Sequence, residues 1–148
     1  MEYRCFGQTG MQLSAVALGG LLARYEGLCG QPSPEEKSRI YLRAAELGIN
    51  LFDMGYGDEV YIPDELKGNH GGRYFSLKVG GPPDQLEEIV EKHLLNLRRD
   101  AIDILRLHHL NYVEDEGLAE GIDQLKQAGK VRSVCLIRHY RPDQEAYA

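Results

Sequence analysis

Short apolar runs that end on a polar residue alternate with segments of helical period at about thirty residues per unit, and this rhythm leaves few folds open. A strand, a crossover helix and a second strand form the βαβ unit, which builds a parallel sheet with right-handed connections. Glu2–Leu13 precedes the rhythm as two half-apolar runs about Gly7-Gln8-Thr9-Gly10, the pattern of an N-terminal β-hairpin. Ala15–Leu18 is expected as a buried strand that stops at Gly19-Gly20. Ser33-Pro34-Glu35-Glu36 starts a helix, with Ser33 as cap and Pro34 at the first helical position. Ile40, Leu42, Ala44, Ala45 and Leu47 form its expected apolar face, and Gly48 closes it. A strand follows at Ile49–Phe52, and Asp58–Lys67 is a helix that Pro63 shortens or kinks.

The remaining units repeat the theme. Tyr74–Val79 is a strand, Asp84–Leu97 a helix with Asp84 as cap and His93 on or beside the apolar face, and Ala101–Leu107 a strand that delivers His108 and His109. Gly117–Ala128 is a helix closed by Gly129, Val131–Ile137 a strand, and Pro142–Ala148 the start of another helix. The reading is an α/β chain of the TIM-barrel type, one domain over residues 1–148. It supplies about five of the eight strands of a barrel that needs about 250 residues, so the domain is expected to be truncated at its carboxyl end. The two open edges of such a sheet invite pairing with a second copy or with another chain, so either self-association as a homo-oligomer or a fragment of a longer ancestral protein is expected.

Charge removes one class of partner. Seventeen Lys and Arg against twenty-three Asp and Glu leave a net charge of -6, the wrong sign for neutralising nucleic-acid phosphates. No nucleic-acid partner is expected. The apolar stretch around Met11–Ala23 is broken by Gln12, Ser14 and Gly19-Gly20 and is too short to span a bilayer, so no membrane partner is expected either. Cys5, Cys29 and Cys135 are odd in number and lack metal-ligand spacing, which fits reduced thiols, each a small buried hydrophobe, in the cytoplasm.

Polar residues recur where the expected strands end. Asp53 and Tyr56 follow the strand at residue 52, Lys78 lies near the end of the next, His108 follows the third, and Arg138-His139 follows the last. In a parallel α/β barrel the active site is built at that shared carboxyl end. A phenol, with an ordinary pKa of roughly 10, serves as a general acid near neutrality only if its anion is stabilised, and a lysine ammonium does that. A carboxylate holds the lysine charged and aimed, and a histidine orients a carbonyl oxygen beside the phenol. This chemistry suits protonation of a carbonyl as hydride arrives from a reduced nicotinamide. Each residue also has a plainer reading: Asp53 capping a turn, Tyr56 packed at the surface, Lys78 solvated at an edge, Gly19-Gly20 as a tight turn, and Arg138, His139 and Arg141 as a solvated basic corner. A metal-assisted hydrolase using Asp53, His108 and His109 is a further alternative, although these residues and His139 match no standard metal site.

The chain resembles the aldo-keto reductases, NADP-dependent (β/α)8 barrels. The resemblance runs in order through MEYRCFGQTGMQLSAVALGG, GINLFDMGYGD, YFSLKVG, LRRDAIDILRLHH and KQAGKVRSVCLIRH. CLIRHYRP is similar to the bacterial branch whose members often carry an iron-sulfur tail. The resemblance implies Tyr56 as proton donor, Asp53 and Lys78 as its tuning pair, and His108 as the substrate-orienting group. It further implies NADP(H) as cofactor and a small-molecule carbonyl substrate; from the residues themselves, Gly19 and Gly20, where the backbone allows close approach, Asp53, and the basic Arg138 and His139 are expected to bind the cofactor. This chain departs from the family at four points. Only Met54 and Gly55 separate Asp53 from Tyr56 where the family usually has four residues, Pro63 replaces a common glycine, Ile137-Arg138 stands where a serine and an amide-holding polar residue are usual, and the carboxyl-terminal part that supplies most of the adenosine-phosphate site has no counterpart. These departures sustain the alternative of a catalytically silent relative that acts as a binding or interaction module.

Overall fold

Helix α1, Pro34–Glu46, begins as its sequence dictates. The Glu36 amide donates to Ser33 Oγ at 3.2 Å, and the Ser33 amide donates to the Glu36 carboxylate at 2.9 Å, so two otherwise orphaned donors are satisfied reciprocally. The helix stops at Gly48, whose φ of +86° suits glycine alone, since an added Cβ would meet the Tyr3 hydroxyl at 2.9 Å and Met1 Cβ at 3.0 Å. The computed structural model describes residues 1–20, 32–55, 60–80, 82–108 and 116–137.

Strands β1 (Tyr3–Cys5) and β2 (Gln12–Ser14) pair antiparallel as the expected hairpin. Five further strands, β3 (Leu18–Gly19), β4 (Leu51–Met54), β5 (Tyr74–Lys78), β6 (Ile102–His108) and β7 (Val131–Ile137), form one parallel sheet in chain order. Helix α1 crosses from β3 to β4, α2 (Leu86–Leu97) from β5 to β6, and α3 (Glu116–Gln127) from β6 to β7. The connection from β4 to β5 carries a single 3-10 turn, Asp64–Leu66, entered from Pro63. The expected helix over Asp58–Lys67 is thus reduced to one turn among the described residues, as the proline's fixed φ and missing N–H favour.

Alternation along each strand divides the sheet into two faces. Phe52, Met54, Phe75, Leu77, Leu105 and Leu107 pack beneath the helices with Tyr41, Val90, Leu97 and Ile122 in the main core. On the other face Ile104 packs with Met11 and Leu13 of the hairpin, and Leu51, Tyr74 and Cys135 border that cluster. Asn50 docks the hairpin: its Oδ1 accepts from the Ser14 amide at 2.7 Å, and its Nδ2 donates to the Gln12 carbonyl at 2.8 Å. The amino-terminal end of the inner face is therefore covered by apolar contacts. Its carboxyl-terminal end holds the polar residues.

Several sequence expectations are corrected. The expected face of α1 holds at Ala44, which is buried, and at Leu42 and Ala45, which pack against the core, but Ile40 and Leu47 are exposed and Tyr41 takes the central place, stacked on Phe52 at 5.9 Å. Ala15, Val16 and Ala17 are exposed, and the strand begins only at Leu18. Asp84 lies in a 3-10 turn, Pro83–Gln85, and Gln85 precedes α2 without a side-chain cap. Cys5 is exposed, where it accepts from Gln12 Nε2 at 2.7 Å, and Cys135 is half-buried. His93 is buried on α2 as expected, and burial lowers its pKa. The helix expected over residues 142–148, Cys29, and the residues His109, Arg138, His139 and Arg141 lie outside the described residues.

Candidate active site

The inner-face residues are set by register. Gly19 of β3 pairs with Asp53 of β4, Asp53 with Ser76 of β5, Lys78 of β5 with Arg106 of β6, and His108 of β6 with Ile137 of β7. Since side chains at i and i+2 share a face, Asp53, Ser76, Lys78, Arg106 and His108 all belong to the face opposite the helices. Lys78 and His108 are the last residues of their strands, and Asp53 is the last but one of β4. The structure thus brings together three of the four residues singled out for chemistry. Tyr56 lies outside the described residues.

The glycines lie at the edge of the sheet beside Asp53. The Gly20 amide donates to the Asp53 carbonyl at 2.6 Å, which ties the exit of β3 to the end of β4. Among the described residues, a Cβ placed on Gly19 would meet nothing within 4 Å.

Electrostatics at the strand ends involve a residue that sequence reasoning passed over. Arg106 forms an ion pair with Asp53, and its Nη2 also donates to the Met54 carbonyl at 3.2 Å. The pair is partly buried, with the Arg106 side chain 18% exposed and that of Asp53 34%. A signal was available: Arg106 interrupts the apolar run ILRLH of β6 and stands two residues before His108, hence on the same face.

A second charged cluster sits beneath the helices. Asp103 is fully buried and accepts from the Phe75 amide at 2.9 Å and from Arg99 Nη2 at 2.7 Å, while Arg132 stands 3.1 Å from its other oxygen. Arg99 also lies over the Phe75 ring at 5.0 Å and donates to the Gly68 carbonyl at 3.0 Å. Burial pushes the Asp103 carboxyl up from the usual range, and the Phe75 amide and the arginines pull it back. These contacts tie β5 to β6 from behind and touch no inner-face residue named above. Among the described residues, no group of three or more His, Cys, Asp and Glu is placed to hold a metal ion, and no helix is long and apolar enough to cross a membrane.

A parallel βα sheet with an acid, an ammonium and an imidazole at the carboxyl ends of successive strands defines an α/β protein of the TIM-barrel type. Residues 15–143 match the profile of the Aldo/keto reductase family, and the chain belongs to that family. It is 26% identical over 155 residues to the uncharacterized oxidoreductase YqkF of Bacillus subtilis (strain 168), covering 89% of this chain and 47% of that one. It is 28% identical over 158 residues to an L-galactose dehydrogenase of Arabidopsis thaliana, covering 90% and 47%. Among solved structures, the holo form of an aldo-keto reductase from Bacillus halodurans superposes with a TM-score of 0.72 at 25% identity, covering 93% of this chain and 51% of that one. The chain spans about half the length of the curated relatives it matches.

Proposed function

We propose that the protein is a cytoplasmic oxidoreductase that uses NADP(H) to reduce an aldehyde or ketone. The observation that carries this reading is the placement of Asp53, Lys78 and His108 at the carboxyl ends of three neighbouring strands, on one face and in the family's order. A bound reduced nicotinamide would supply hydride to the carbonyl carbon. Tyr56 gives its phenolic proton to the carbonyl oxygen as the C=O π bond opens, the product departs as an alcohol, and the phenolate recovers a proton from solvent. Lys78 offsets the charge that develops on the phenol, and Asp53 holds the cationic side of the site in place. His108 donates to the carbonyl oxygen and so fixes which face of the substrate is presented. Gly19 and Gly20 would border the nicotinamide, and Arg138 with His139 would hold the cofactor phosphate.

The test is NADPH consumption with a generic aldehyde. Tyr56→Phe is expected to lower kcat by roughly 10²–10⁴-fold, the usual contribution of a positioned general acid. Equal rates in the two proteins would remove Tyr56 from the mechanism. A second reading is favoured by two specific features, the short Asp53-to-Tyr56 spacing and a span of about half the length of the curated relatives. In it the chain is a catalytically silent relative that serves as an interaction module, and the wild-type protein turns over no aldehyde.

A further inference from the structure

The ion pair between β4 and β6 is used by none of the roles above. Arg106 engages two consecutive residues at the end of β4: the Asp53 carboxylate through its ion pair and the Met54 carbonyl at 3.2 Å. It reaches them across β5, from a position opposite Lys78 in register and two residues before His108. We propose that Arg106 is a positioning residue of the reductase site, holding the Asp53 carboxylate and the point at which the chain leaves β4. The inference rests on the reading of the site as a reductase.

Three arguments support it. A guanidinium presents five donors in a rigid plane, so one side chain can fix a carboxylate and a neighbouring carbonyl together, which a lysine's point charge does less well. The pair is partly buried, so solvent and salt screen it less than a surface pair. Finally, Tyr56 follows Met54 by two residues, and the shortened spacing leaves little chain between that anchored carbonyl and the phenol. Displacement of a catalytic group by about 1 Å can cost roughly a hundredfold in rate. An anchor at Met54 therefore matters more here than in a relative with a longer connection.

The experiment is a double-mutant cycle on the purified protein, with Asp53→Asn, Arg106→Gln, their combination, and Arg106→Lys as the conservative control. Stability is read by urea denaturation, and kcat and KM are read with NADPH and an aldehyde. The expected result is coupling of the two sites in stability, a fall in kcat of at least about tenfold for Arg106→Gln with little change in KM, and partial recovery in Arg106→Lys. On the Asp53→Asn background, Arg106→Gln should cost little more. Additive stability losses would show that the pair does not form and would overturn the proposal whatever the activity. Coupled stability with unchanged kcat in Arg106→Gln would make Arg106 a structural residue only and would likewise overturn it. An inactive wild type with intact coupling would instead remove the reductase reading, and the positioning role with it, leaving the ion pair as part of the fold.

Discussion

Tyr41 is buried without full compensation. It is 0% exposed, stacks on Phe52 and meets Tyr61 edge-on at 5.4 Å, yet its hydroxyl has no hydrogen-bond partner among the described residues. Burial, with smaller contributions from Tyr61 and Asp53, pushes its pKa up to about 12. A buried hydroxyl without a partner costs about 1–3 kcal/mol, so Tyr41→Phe keeps the ring contacts and removes the cost. Urea denaturation is expected to show a gain of about 1 kcal/mol, and a loss of that size would reveal a partner for the hydroxyl. The sequence reading missed this residue because it assigned the apolar stripe by aliphatic side chains, and Tyr41 reads as amphipathic. Asp53, Lys78 and His108 were legible for the opposite reason. Each ends an apolar run, and a polar residue there stands out against its own strand.

At the scale of elements, α1 and the hairpin were legible because local chemistry decides them: the Ser33 and Glu36 side chains form the capping box, and Gly48 supplies a left-handed residue that the turn requires. The start of β3 was not, since Ala15–Ala17 are apolar by composition but find no neighbour to cover them. Nor was the start of α2, where Pro82 and Pro83 favour a tight turn before the helix proper and Asp84 falls inside it. The join of β5 to β6 depends on long-range contacts that no local pattern encodes. There Asp103 accepts from the Phe75 amide and from the buried Arg99, whose side chain is 3% exposed. Asp103→Asn preserves the shape and the amide contact but leaves Arg99 without its counter-charge. The expected loss is about 3–5 kcal/mol, the range for breaking a buried pair from one side. A loss below about 1 kcal/mol, measured by the shift of the urea midpoint at constant m, would mean that Arg99 finds water or another acceptor.

At the scale of the molecule, the parallel order β3-β4-β5-β6-β7 brings to one end of the sheet residues that are 25 to 55 positions apart in the chain, and that gathering follows from topology rather than from any local motif. The βα rhythm made the order legible, whereas the Arg106 ion pair with Asp53 emerged only once β4 and β6 were placed on either side of β5. The central claim is that this gathered end is a nicotinamide site built by the described strands. It is tested most directly by titrating the purified protein with NADPH and following nicotinamide fluorescence. Saturable binding is expected at about one cofactor per chain, with a Kd below about 1 mM. An absence of saturable binding at roughly millimolar NADPH would contradict that claim, and the silent-module reading would take its place.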